Sequence, residues 1–405
     1  MFFRFSKGIA LFATLALLAG CSLERREQVS SRASASSISA ETLAAMDSIG
    51  TDRNQPILIR AFKKESEIEI WKRTRTGTFA LMKTYPVCRW SGQLGPKTRE
   101  GDRQVPEGFY TVTPGQMNPN SALWLSFNVG YPNAMERSLG RTGGDIMVHG
   151  TCSSRGCYAM TNEQMDEIYA VMREAFQGGQ KIVQFQSYPF RMNVENLAKF
   201  RNDPNMPFWK NLKEGNDRFE VTKREMAVNY CGARYTFGAN EAPGCGETVA
   251  DPDAAAINAK IHEDETKVAS LVAGGFSAAR MSYADGDQNI IFRDPAKKKL
   301  LENYAATGEF SRPEALAAVK EQRLDHKGNV IAELPIATAI DTTDQSSMTT
   351  AVTNAATPQA STSKSSSPKT KPSLFEQLFG TASPSDTESD GLTTTGSVPL
   401  PQPRG

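Results

Sequence analysis

Short apolar runs of strand length, separated by turn residues over about residues 55–190, limit the possible folds of this chain more than any other feature. Ile57-Leu58-Ile59-Arg60-Ala61-Phe62 is followed by Ile68-Glu69-Ile70-Trp71, whose alternation suits a strand with one buried face. Runs at 79–87, 108–112, 123–129, 145–148 and 182–188 continue the series. Gly77, Gly92, Gly95-Pro96, Pro106, Pro114-Gly115 and Gly143-Gly144 punctuate it. A mainly β domain of ordinary size is the expectation. One helix interrupts the pattern. Thr161 and Gln164 have capping-box spacing, Met165, Ile168, Tyr169, Met172 and Phe176 recur at helical intervals, and Gly178-Gly179 supplies the stop. That apolar stripe reads as core packing.

At 405 residues the chain exceeds one average domain, so appendages are expected around this unit. Arg4 and Lys7 precede a short apolar stretch, 9–18, which Leu18-Ala19-Gly20-Cys21 closes. The layout is that of a secretory signal, and its last four residues resemble the bacterial lipobox. The resemblance implies diacylation of Cys21 and a stable membrane anchor. Ser22 in place of an acidic residue directs the expectation to the outer membrane. The Ser-, Arg- and Glu-rich stretch 22–38 reads as a tether, and 40–46 as a short helix. Beyond 190, helix signals dominate: 194–200, a short helix after Pro207, 254–273 stopped by Gly274-Gly275, and one starting near Ser311 with Pro313 in its first turn. His262 and His326 are expected on the surface of such helical regions. Residues 341–405, rich in Ser, Thr and Pro, have little to bury and read as disordered, with one apolar island at Leu374-Phe375-Glu376-Gln377-Leu378-Phe379. The expected divisions are 1–20 signal, 21–50 tether and helix, 51–190 catalytic domain, 191–340 helical extension and 341–405 tail.

Charge excludes one class of partner. With 46 basic against 45 acidic residues, the chain carries no electrostatic footprint for nucleic acid. The cysteines say more. Of six, Cys21 belongs to the leader motif, and the remaining five cannot all pair within the chain. Cys231 and Cys245, in Gly-rich surroundings, are expected to form a disulfide, the alternative being two separate buried thiols.

Reactive residue types concentrate in Val148-His149-Gly150-Thr151-Cys152-Ser153-Ser154-Arg155-Gly156-Cys157-Tyr158-Ala159-Met160. A thiol becomes a nucleophile when a base or positive field favours its thiolate. The His149 imidazole, the Arg155 guanidinium and the amides opening the helix near Thr161 are three candidate sources. Gly156 would let backbone amides approach a developing oxyanion. Three alternatives remain open here: Cys152 as the nucleophile, a regulatory Cys152–Cys157 disulfide, or a zinc site using Cys152.

His149-Gly150 followed by Ser154-Arg155-Gly156-Cys157 resembles the signature of the L,D-transpeptidase (YkuD-type) catalytic domain, in which a His-Gly pair precedes Ser-His-Gly-Cys. Gly95-Pro96-Lys97, Pro106-Glu107-Gly108-Phe109-Tyr110 and Gly156-Cys157-Tyr158-Ala159-Met160-Thr161 are similar to its YafK-like branch. The resemblance implies a β-sandwich or barrel-like core with a helix after the nucleophile. It implies Cys157 as nucleophile, His149 as base, amides around Arg155, Gly156 and Cys157 as oxyanion donors, and Ser154 ordering the loop. Lys97, Arg141 and Arg191 are weaker candidates for binding substrate carboxylates. No cofactor or metal is implied. The implied partners are peptidoglycan stem peptides ending in diaminopimelate and D-alanine, with an envelope lipoprotein or outer-membrane protein as a further acceptor. Two departures stand out: Arg155 replaces the family's second histidine, and only seven residues separate His149 from Cys157. A transpeptidase is the leading expectation. A murein amidase that releases envelope lipoprotein, or a non-catalytic wall-binding lipoprotein, are the alternatives.

Overall fold

The computed structural model describes residues 33–293 and 319–335. Cys21, the leader motif, the helix expected near Ser311 and the 374–379 island lie outside the described residues. Two five-stranded sheets form the centre. The first comprises β1 (Ile57–Phe62), β2 (Glu67–Arg73), β3 (Phe79–Pro86), β5 (Gly108–Val112) and β10 (Val183–Tyr188), in the order β3-β2-β1-β10-β5. The second joins β4 (Arg89–Trp90), β6 (Met117–Asn118), β7 (Ser126–Asn128), β8 (Met147–His149) and β9 (Tyr158–Ala159), in the order β4-β9-β8-β7-β6. Most pairs are antiparallel, but β1 with β10 and β8 with β9 run parallel. A parallel pair needs a crossover longer than a hairpin turn. For β8 and β9 that crossover is the reactive segment itself, with no helix in it. The chain must turn sharply there.

Aromatic side chains fill the space between the sheets. Phe127 of β7 and Tyr158 of β9 meet Phe185 of β10 at ring separations of 6.3 and 6.1 Å. Each aromatic pair of this kind adds about 1 kcal/mol beyond simple burial. The Tyr158 hydroxyl, enclosed with them, is bonded to Ser187 Oγ at 2.8 Å, so no polar atom is stranded by that packing.

Among the described residues the main α-helices are α1 (Ala40–Ser48), α2 (Ala134–Ser138), α3 (Asn162–Gln177), α4 (Val194–Lys199), α5 (Met206–Thr222) and α6 (Ala254–Ala273). α3 opens with the box read from Thr161 and Gln164: Gln164 N donates to Thr161 Oγ1 at 3.3 Å, and Thr161 N to Gln164 Oε1 at 3.0 Å. Its stripe of Met165, Ile168, Tyr169 and Met172 is buried, as amphipathic spacing requires.

The region 191–340 carries the expected helices α4, α5 and α6, and strands that the sequence reading did not expect. Among its described residues these strands are β11 (Ala227–Cys231), β12 (Arg234–Gly238), β13 (Ala278–Ser282), β14 (Lys320–Leu324) and β15 (Val330–Pro335). β11 and β12 form a hairpin across Gly232-Ala233, with Gly232 at φ +59° in the left-handed range that such two-residue turns use. His262 lies on α6, whereas His326 sits in the turn between β14 and β15, not in a helix. Nor is the region a separate body. Trp209 of α5 is fully buried and donates from Nε1 to the buried Glu107 at 2.8 Å, tying α5 into the sheet core.

Candidate active site

The parallel register of β8 and β9 brings the reactive residues together. Val148 pairs with Tyr158 and His149 with Ala159, so one step back Cys157 comes beside Met147. The Met147 amide indeed donates to Cys157 Sγ at 3.4 Å. Side chains two apart on a strand share a face, which places His149 and Cys157 on one side of the sheet. Sγ is also 3.9 Å from the Asp145 carbonyl. Its hydrogen bonds thus go to the first residue of β8 and to the backbone two residues before it, not to the His149 imidazole.

His149 is buried, and its Nδ1 is 2.6 Å from the Gly150 carbonyl. A carbonyl only accepts, so Nδ1 carries the proton and Nε2 presents a lone pair. Burial pushes the imidazole down to about 4 despite that carbonyl, so it is neutral at pH 7 and ready to act as a base. Burial likewise raises the Cys157 thiol above its usual 9.0, while the Met147 amide and Lys97 pull it down. The resting pair is therefore thiol and neutral imidazole. Neither group is solvated well enough to hold its charge. The moderating positive field comes from Lys97 and not from Arg155, which is exposed.

Ser154 organises the loop. Fully buried, it donates to the Cys157 carbonyl at 2.6 Å and accepts from Gly156 N at 3.3 Å, Cys157 N at 3.1 Å and Ser91 Oγ at 2.8 Å. Two of the amides read as oxyanion donors thus bond the Ser154 hydroxyl, and an oxyanion has to exchange with it. Gly156 has φ +118°, where a side chain is strained. Gly150 is required by space instead: a Cβ there would stand 2.7 Å from Asn162 Oδ1 and 2.8 Å from Trp124 Cβ.

Cys152 is bonded to the buried Cys88, with 5.2 Å between their Cα atoms. That removes Cys152 as nucleophile, as partner of Cys157 and as a zinc ligand. Cys231 and Cys245 are joined as well, Cα atoms 5.0 Å apart, and Cys157 is the free cysteine among the described residues.

Cys157 opens onto a cavity of about 560 Å³ lined also by Lys97, Glu100, Arg103, Asp145 and Arg155. Of the three weaker candidates only Lys97 lines it. Arg141 instead pairs with Glu136 at 3.4 Å. Arg191 pairs with Glu67 and Glu69 beside a different cavity, together with Arg60 and Lys260. Sequence reading missed Arg103 and Ser91. Ser91 carries no motif of its own, and Arg103 falls between two family-like runs, where only its place beside Cys157 marks it.

The family is shown by comparison with known proteins. The model of the L,D-transpeptidase catalytic domain, YkuD, matches residues 58–183, which hold both His149 and Cys157. The chain belongs to this family. Curated proteins named "Putative L,D-transpeptidase YafK", from Escherichia coli strain K12 and from Escherichia coli O157:H7, are each 40% identical to it over 180 residues, covering 44% of this chain and 73% of theirs. Among solved structures, the helical cell shape determining protein Pgp2 of Campylobacter jejuni matches at 14% identity and a TM-score of 0.26, covering 72% of this chain and 99% of that one. Bd1075 of Bdellovibrio bacteriovorus matches at 13% identity and a TM-score of 0.23, covering 43% and 75%.

Proposed function

We propose that this chain is a peptidoglycan L,D-transpeptidase working by cysteine acyl transfer. The observation that carries the reading is a free thiol on a cavity wall, on the same sheet face as a buried imidazole. Cys157 Sγ attacks the carbonyl at the L-centre of diaminopimelate while His149 Nε2 removes the thiol proton. The imidazolium returns that proton to the leaving amine, D-alanine departs and a thioester remains. Because the base starts neutral and buried, its charge exists only during the reaction, alongside the negative charge on the substrate oxygen. The Ser154-organised loop receives that oxygen, with Gly156 supplying the close backbone approach. An acceptor amine from a second stem, or from an envelope protein, then takes the acyl group. Water in its place gives the amidase, which shares every residue up to that step.

We further propose residues 51–190 as the catalytic domain, and export with lipid anchoring at Cys21, on the outer membrane facing the periplasm. The leader motif supports this, and so do two disulfides, which persist in oxidising compartments such as the envelope. Incubation with a stem tetrapeptide tests the reaction. Release of D-alanine by the wild type and its absence in Cys157→Ser are expected. Equal release by the variant would refute the mechanism. A new cross-link in the products marks transfer, and its absence marks hydrolysis.

A further inference from the structure

The cavity beside Cys157 is not built from the family-matched residues alone. A segment about a hundred residues beyond them, Tyr283-Ala284-Asp285-Gly286-Asp287, docks on the edge of β4. Trp90 N donates to the Asp287 carbonyl at 2.9 Å, Asp287 N to the Trp90 carbonyl at 3.2 Å, and Gly286 N to the Gly92 carbonyl at 2.7 Å. These bonds add a rung to the sheet. Gly286 permits it: at φ +68°, a Cβ there would lie 2.0 Å from the Trp90 carbonyl oxygen. The docking sinks Asp285 to 3% exposure, where its carboxylate takes Arg103 through both Nε, at 3.1 Å, and Nη2. The Gly92 amide, at 3.3 Å, fixes its other oxygen.

Arg103 is the residue so held, and it touches the reaction site in two ways. Its side chain lines the Cys157 cavity, and its backbone lies 3.6 Å from where a Gly156 Cβ would be. It also has φ +54°, a left-handed conformation that a non-glycine residue adopts only where its surroundings impose it. A guanidinium anchored through two of its N–H groups has a fixed plane, and a fixed plane is what bidentate carboxylate recognition requires.

We infer that Asp285 is a positioning residue of the active site: it orients Arg103 in the cavity wall to bind a carboxylate of the donor peptide. The inference rests on the stem-peptide reading above. That donor carries such a group at its terminal D-alanine and on the diaminopimelate side chain, and either satisfies the chemistry. Arg103 sets where the donor lies and performs no bond-making step, so its loss should act on binding.

The test measures calorimetric binding of stem tetrapeptides to the full chain carrying Cys157→Ala, with and without Asp285→Asn. Three donors are compared: unmodified, amidated at the D-alanine terminus, and amidated on the diaminopimelate side chain. Asp285→Asn should weaken the unmodified donor about tenfold, as loss of one charge-assisted contact does. The amidated donor insensitive to Asp285→Asn identifies the carboxylate. In an Arg103→Ala background Asp285→Asn should have no further effect, which a merely structural brace would not produce. Iodoacetamide labelling of Cys157 in the Asp285→Asn chain should proceed at the wild-type rate, showing the site intact. Equal weakening of all three donors, or weakening that persists without Arg103, would overturn the inference and leave the proposed reaction standing. Failure of every donor to bind the Asp285-containing chain would overturn both.

Discussion

Two disulfides close two very different parts of this molecule. Cys231–Cys245 spans 14 residues, joins the β11–β12 hairpin to the loop after it, and has Cys245 exposed. Cys88–Cys152 spans 64 residues and ties a fully buried cysteine before β4 to the loop between His149 and Cys157. The second loop is also the strained one: Thr151 and Cys152 stand at φ +75° and +49°, consecutive non-glycine residues in the left-handed region. A local bridge confirms a turn that the chain nearly makes unaided. A long-range bridge can hold a loop in a shape its own residues resist. Only the second kind sits next to reactive groups, and its loop relies on further braces, the Thr151 N to Asn162 Oδ1 bond at 2.9 Å and the Cys152 N to Met160 carbonyl bond at 3.0 Å.

Replacing Cys88 and Cys152 together by serine should remove about 4 kcal/mol of stability by loop-entropy reasoning. It should also slow acylation of Cys157, because the loop presenting it loses its tether. Denaturant melts and acylation rates on the same variant check both. An unchanged rate would mean that the strained loop holds itself.

His149 provides the next contrast, as it is buried and the β11–β12 hairpin carries no histidine. Its folded-state value of about 4 lies below the ordinary 6.5. The unfolded chain therefore binds the proton first, and stability contributed at neutral pH drains away as pH falls from about 6.5 to about 4. The loss is roughly 3 kcal/mol. His149→Gln should flatten that part of the stability–pH curve, as read by thermal melts across the range.

Replacing Cys231 and Cys245 by serine should cost about 3 kcal/mol and leave the acylation rate where it was. Mild reductant should open this exposed bridge before the buried one, as mass mapping of the thiols would show. Slower acylation here would erase the distinction between the two bridges. Smallest of all, Asn162→Ala strips one brace from the reactive loop, at a cost of about 1 kcal/mol, measurable as a lowered denaturant midpoint.

The same division explains what could be read in advance. β1, β2, β3, β5, β7, β8 and β10, the Thr161 cap and the Gly274 stop follow from local spacing and stand at or near where their patterns put them, whereas the two-residue strands β4, β6 and β9 carry no run of their own. The Cys231–Cys245 pair, 14 residues apart in Gly-rich chain, was open to the same reading. Cys88 gave no such hint, because its partner is brought near only by the pairing of β4 with β9. Asp285 is harder still, since it has no motif and reaches Arg103 only once the edge of β4 exists. The strands after residue 225 were hidden for a different reason. Runs of five or six residues, with Gly and Cys among them, carry too little periodicity to outweigh the helix signals around them. At the site, residue types were legible and protonation was not. The sequence offers a histidine and a thiol, whereas burial decides that both rest uncharged.

The central claim is that Cys157 is the group acylated, and exposure to a carbapenem followed by intact mass and peptide mapping tests it most directly. One acyl group per chain, mapped to Cys157 and lost in Cys157→Ser, is the predicted result. An adduct on any other residue, or none on a protein that still releases D-alanine from stem peptide, would contradict the account.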